Sequence, residues 1–285
     1  MATFGVTMFP TDYSIQPVAL GRALEERGFE SVFFPEHTHI PASRRSRWPG
    51  GDDLPQEYWH THDPFVALGA IAATTERLKL GTGICLIPER DPILLANVVA
   101  SLDLISNGRV LLGIGAGWNA EEMENHGTAF KDRWPVTKER IQAMRQIWTQ
   151  EEAEFHGAHV DFDKIWSYPK PVQAGGPPVL IGADTPWAHQ RVVDYADGWL
   201  PIFGRSDVRD SLAALRIVAE QAGRDMSTIE LSVFGVPPRE EIVTGLIEAG
   251  FQRILFWLPP AGEDEIIPRL DRYAAFIESL GQSDA

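Results

Sequence analysis

The sequence predicts an α/β protein built as a closed (β/α)8 barrel, with insertions after the second strand and before the fifth. Short apolar runs rich in β-formers alternate with amphipathic runs of helical period along nearly the whole chain, the pattern of a parallel sheet covered by helices. Eight such runs occur, and their nearly continuous apolar character is that of strands buried on both faces. The 285 residues, 44% of them hydrophobic, suit one barrel domain over 1–285, since such barrels need roughly 250 residues.

Strands are predicted at Phe4–Phe9, Ser31–Phe34, Leu78–Leu86, Val110–Gly115, Val179–Ile181, Gly198–Ile202, Glu230–Val236 and Arg253–Leu258. Helices are predicted between and after them, at Pro17–Arg27, Pro64–Thr75, Pro92–Ser106, Val136–Gln150, Trp187–Tyr195, Ser206–Ala222, Arg239–Glu248 and Glu263–Leu280. Pro17, Pro64 and Pro92 suit the first helical turn, where a missing N–H goes unused, and Asp63 and Asp91 precede two of them as caps. Gly28, Gly250 and Gly281 fall where a helix end calls for a left-handed residue. Two segments break the repeat. His39–Thr61 follows the second strand and is expected to wall a pocket, because loops after barrel strands line the open face. Glu151–Gly176 separates the fourth helix from the fifth strand, and its alternation around His156, Gly157 and Ala158 reads as a small hairpin.

A net charge of −15, with no basic run beyond Arg44, Arg45 and Arg47, argues against nucleic acid and against anionic lipid. No stretch approaches the ~20 apolar residues that span a bilayer, and the opening MATFGVTMFP lacks a charged leader, so a cytoplasmic protein is expected. Cys85 stands alone inside an apolar run and reads as a buried, inert thiol.

Candidate site residues gather at the strand ends. Glu36 and His37 follow the second strand, where an imidazole on a rigid mount can exchange protons near neutral pH or can merely bond backbone. The pairs His37/His39 and His60/His62 suggest a metal, but later strand ends lack the further ligands it needs, so none is expected. Gly83 and Ile84 lie late in the third strand, where glycine marks a bulge or a close backbone approach. The fourth strand ends in Gly113, Ile114, Gly115, Ala116, Gly117, Trp118 and Asn119, whose glycines are spaced G-x-G-x-G and are thus a weak dinucleotide signal. After the fifth, Gly182, Ala183, Asp184 and Thr185 open a helix, with Asp184 as helix cap or the turn as phosphate seat. Glu121 and Glu122 read as helix-start acids that complement the dipole.

Four stretches, GVTMFPTDY, ALEERGFESVFFPEHTHIP, LKLGTGICLIPERDPILLANVVASLDLISNGRVLLGIGAGWNAEEMENHG and PPVLIGADTP with ADGWLP, together resemble the bacterial luciferase-like superfamily and its F420-dependent oxidoreductase branch. The resemblance implies a TIM barrel with a 5-deazaflavin (coenzyme F420) or FMN ring across the strand ends. It implies His37 beside the reacting centre as the acid/base, Glu36 near the ring's polar edge, and a bulge with a non-prolyl cis peptide at Gly83-Ile84 behind the ring. Ala116, Gly117, Trp118 and Asn119 would line the coenzyme's side chain, and Gly182 to Thr185 its phosphate. The implied activity is hydride transfer between F420 and a small organic substrate. An FMN-dependent monooxygenase fed by a reductase, or a non-catalytic flavin-binding barrel, are the alternatives. A homodimer is expected by the same resemblance, with Pro92–Ser106 as a contact.

Overall fold

The computed structural model describes residues 2–51 and 53–282; Asp52, inside the first predicted insertion, lies outside the described residues. The chain runs β1 (Thr3–Thr7), α1 (Pro17–Glu26), β2 (Ser31–Phe34), α2 (Glu57–His60), α3 (Pro64–Ala72), β3 (Lys79–Thr82), β4 (Cys85–Leu86), α4 (Pro92–Ser106) and β5 (Val110–Gly115). It continues through α5 (Ala120–Asn125), α6 (Arg133–Thr149), β6 (Ala153–His156), β7 (Asp161–Ile165), β8 (Val179–Ile181), α7 (Pro186–Tyr195) and β9 (Gly198–Trp199). The last elements are α8 (Val208–Gln221), β10 (Glu230–Val236), α9 (Glu240–Ala249), β11 (Arg253–Trp257) and α10 (Glu263–Gln282).

All pairings in the main sheet are parallel, in the order β3-β2-β1-β11-β10-β9-β8-β5-β4, and β3 also pairs with β5. That last pairing closes the cylinder. Because β3 and β4 are two halves of one strand, the nine segments fill eight places, and the protein is a (β/α)8 TIM barrel. The predicted continuous strand Leu78–Leu86 is therefore broken in the middle, at Gly83-Ile84, whose peptide bond is cis. The predicted strand Gly198–Ile202 is likewise short, with Ile202 returning only as a bridge to Phe234.

The caps explain where helices begin. Asp63 accepts from the N–H groups of Phe65 and Val66, and Asp91 from that of Leu94, satisfying donors the helix itself leaves open. Gly28 and Gly250 have positive φ, as predicted, but α10 continues through Gly281, which caps nothing. Helix α4 instead ends on Asn107, at φ 56°. Two short helices, α2 and α5, were not expected from periodicity, since neither is long enough to show any. β6 and β7 form the expected antiparallel hairpin, and Glu139 of α6 ties it down by accepting from the N–H groups of Ala158, His159 and Val160.

Two apolar layers result. Inside the barrel, Phe33, Leu111, Leu180, Leu200, Phe234 and Leu255 fill the axis, and a larger cluster lies between strands and helices. At roughly 25 cal/mol per Å² of apolar surface, burying a side chain such as Leu111 contributes about 2 kcal/mol. Cys85 is buried and unpaired, and burial with the nearby Glu36 charge pushes its thiol well above the ordinary range. Arg109 shows how a buried cation is kept: it donates to the carbonyls of Ala72, Thr75, Leu78 and Ser106, closing the open end of α3. On α4, Leu94, Leu104 and Ile105 are exposed. Among the described residues no helix is long and apolar enough to cross a membrane.

Candidate active site

The strand ends open into a cavity of about 610 Å³, within the range of small-molecule sites. Its floor is main chain. Gly83 and Ile84 between β3 and β4, Gly115 to Trp118 after β5, and Gly182 to Thr185 after β8 all line it, with Glu36 and His37 after β2. Side-chain atoms on this floor would collide: a Cβ on Gly182 or Gly115 would run into the Ile84 side chain, and one on Gly83 into Phe234. Gly117 holds φ at 77°, a left-handed conformation that suits glycine and turns its backbone into the cavity loop. With glycine at these positions the backbone itself borders the cavity, and the residues present fit a flavin or deazaflavin.

The predicted wall is in place. From the His39–Thr61 insertion, Trp48, Pro49, Pro55, Glu57 and Tyr58 line the cavity, with Tyr58 5.0 Å from the His37 ring and 5.7 Å from Trp48 between centroids. Glu121 anchors this wall. Its buried carboxylate accepts from the backbone N–H groups of Arg45 and Ser46 and from the hydroxyls of Ser43 (3.4 Å) and Ser46 (2.5 Å).

His37 is 8% exposed, and its Nδ1 lies 2.8 Å from Oε2 of Glu122, which is fully buried. With Nδ1–H donating to that carboxylate, Nε2 is the ring nitrogen left for a ligand in the cavity. Both glutamates stand in the first turn of α5, as a dipole argument requires, but their side chains bond Ser46 and His37 instead of solvating the helix end. The reading of Glu121 and Glu122 as helix-start acids therefore holds, and their side chains have these further partners. Sequence patterning missed them because two adjacent acids after a cap residue look identical whether they point out or in.

Glu36 borders the cavity, yet its oxygens are already engaged, Oε2 by the N–H of Leu86 at 2.7 Å and Oε1 by Nε of Arg90 at 2.6 Å. It braces the broken third strand. Arg90 also reaches Asp63 at 2.5 Å, joining β4 to the cap of α3. Asn119 is the one predicted site residue that does not line the cavity: its side chain accepts from the N–H of Glu122 and starts α5. Asp184 is not the cap of α7, because Thr185 takes that place by accepting from the N–H of Ala188. The Asp184 carboxylate is held by His189 at 3.2 Å, Ser211 at 2.9 Å and Ser206. Arg205, which sequence reading did not single out, is a basic residue that also lines the cavity. The histidine pairs separate: His39 bonds Thr38 and Asn125, and His60 bonds Asp12 at 3.0 Å.

The site joins a glycine-lined cavity in a parallel barrel to an imidazole set on a buried carboxylate, and comparison with known proteins gives the family. The luciferase-like monooxygenase family model matches residues 15–238, and the chain belongs to that family. It is 37% identical over 275 residues to an uncharacterized protein of Mycobacterium tuberculosis, covering 95% of this chain and 97% of the relative. It is 32% identical to the F420-dependent glucose-6-phosphate dehydrogenase of Nakamurella multipartita over 218 residues, which is 74% of this chain and 60% of that enzyme. Among solved structures, the monooxygenase RslO1 of Streptomyces bottropensis superposes with a TM-score of 0.78 at 19% identity, over 97% of this chain and 99% of that one, a likeness of fold.

Proposed function

We propose that this chain is an oxidoreductase that transfers a hydride between coenzyme F420 and a small organic substrate, with His37 as the acid/base. The observation that carries the reading is His37 itself: an imidazole at the cavity wall, oriented by a buried carboxylate, in a cavity that glycine backbone also lines. Family membership supports the oxidoreductase class, and the F420-dependent relative supports the deazaflavin.

Gly83, Ile84, Ala116, Gly117 and Gly182 would seat the ring, with Trp118, Ala183 and Thr185 along its tail and Arg205 near its phosphate. When bound, the deazaflavin supplies the carbon that gives or takes the hydride. His37 Nε2 would hold or remove the proton on the substrate atom next to the hydride centre, because Glu122 fixes the ring through Nδ1. Trp48 and Tyr58 would exclude water from that atom.

The test is a single reaction. The chain mixed with oxidised coenzyme F420 and a panel of secondary alcohols should bleach the deazaflavin chromophore with at least one of them. His37→Ala should slow that bleaching by about 10²- to 10⁴-fold, with coenzyme affinity changed far less. Equal rates in the variant remove His37 from the chemistry. Inert F420 together with oxygen consumption on reduced FMN makes the chain an FMN monooxygenase instead.

A further inference from the structure

We propose that the part of the cavity beside His37 takes an uncharged, apolar ring alcohol, and that a line of aromatic side chains from five strand ends selects it. The proposal rests on the acid/base reading of His37 and names the class of substrate that residue serves.

The rings touch one another in sequence. Phe234 of β10 lies against the break in the third strand, 2.7 Å from where a Cβ on Gly83 would stand. Its ring centroid is 5.8 Å from that of Trp257 at the end of β11, and Trp257 is 6.2 Å from Phe9 after β1, both contacts edge to face. Phe9 meets Tyr58 of the insertion at 4.7 Å, and Tyr58 meets His37 at 5.0 Å and Trp118 after β5 at 6.3 Å. Trp118 in turn stands 5.9 Å from His37. The six side chains all line the cavity, so the line runs from the β3–β4 junction, past the imidazole, to the loop after β5. Rings fixed edge to face by their neighbours need little further ordering when a ligand arrives.

The charged groups exclude the alternatives. Among the described residues Arg205 is the one lysine or arginine that lines the cavity, against the carboxyl groups of Glu36, Glu57 and Asp184. A phosphoryl group carries nearly two negative charges and needs several strong donors once its water is removed. A single exposed arginine, already placed at the coenzyme's phosphate, does not supply them to a second anion. A polyol would bury hydroxyl groups against aromatic rings without partners, which is costly. An apolar ring loses no such bonds and leaves water for a surface of its own kind. One hydroxyl is enough. With Nδ1 engaged by Glu122 at 2.8 Å, the neutral imidazole keeps the Nε2 lone pair, which accepts one O–H.

The experiment titrates the full chain, labelled with ¹⁵N-histidine, with cyclohexanol and separately with glucose 6-phosphate, both alone and with coenzyme F420 present. The Nε2 signal of His37, assigned by its loss in His37→Gln, should move with cyclohexanol and stay in place with glucose 6-phosphate at about tenfold higher concentration. Trp257→Ala should weaken cyclohexanol binding by about tenfold, and Trp257→Phe by less than about threefold because a ring remains. Where Trp257→Ala melts early, Tyr58→Leu carries the same expectation. Trp59→Ala, at an exposed ring that does not line the cavity, should change nothing. Glucose 6-phosphate bound as tightly as cyclohexanol overturns the proposal, as does cyclohexanol bound equally by the parent and by a ring-deleted variant of matching thermal melt. F420 absorbance on the same samples separates the two claims. Cyclohexanol bound with F420 inert leaves the substrate class standing and removes the coenzyme reading, whereas F420 bleached with glucose 6-phosphate and not with cyclohexanol keeps hydride transfer and removes the substrate class.

Discussion

Arg253 is 3% exposed at the start of β11 and grips Glu30 with two nitrogens, each 2.9 Å from a carboxylate oxygen, while a third nitrogen reaches Glu230 and Ser232. Burial raises the Glu30 carboxyl, but Arg253 and then Lys79 outweigh it and hold the group at about 2 instead of 4.5. The sign follows from the depressed value. The stability this acid contributes, about 3 kcal/mol, is fully present above the unfolded value of 4.5 and is lost as pH falls from there toward 2. Arg253→Met should therefore lower stability near neutral pH by about 3 kcal/mol and flatten the acid limb, as urea melts at pH 7 and in this acid window will read. An acid limb as steep in the variant as in the parent would contradict the assignment. At the opposite end of the barrel, His37 and Glu122 form another buried pair, with His37 lining the cavity.

The insertion between β2 and α3 is the element whose role composition anticipated best and whose attachment it could not reveal. Pro, Gly and aromatic content marked it as a loop beside the pocket, and Trp48 and Tyr58 do line the cavity. Its tether is a long-range contact, Glu121 to Ser43, Arg45 and Ser46, and no local pattern carries a separation of some 75 residues. Glu121→Ala should free the wall. Limited trypsin digestion at Arg44, Arg45 and Arg47, all exposed, should accelerate by about tenfold or more while the rest of the barrel resists. Unchanged cleavage would mean that Tyr58 and the aromatic contacts hold the loop unaided. The same division runs through the other elements. Strands β2, β5, β8 and β10 were legible to the residue because uninterrupted apolar runs have sharp polar or glycine borders. A bulge at Gly83 was legible from glycine inside a β-run, its cis peptide only by resemblance, and α2 and α5 were hidden by their shortness.

For the whole molecule, the barrel brings residues from β2, the β3–β4 junction, β5, β8 and β10 to one mouth, which is why strand-end motifs far apart in sequence could be read as one site. Backbone positions such as Gly83, Gly117 and Gly182 were visible because glycine at a strand end has few other uses. The buried acids Glu89 and Glu122 were not, since only tertiary packing decides which carboxylates lose their water. Four tryptophans, Trp48, Trp118, Trp134 and Trp257, line the mouth and will report a bound ring. Titration of the purified chain with coenzyme F420 and, separately, with FMN should quench their fluorescence with at least about tenfold tighter binding of F420. Tighter binding of FMN, or no quenching by either, would contradict the central claim.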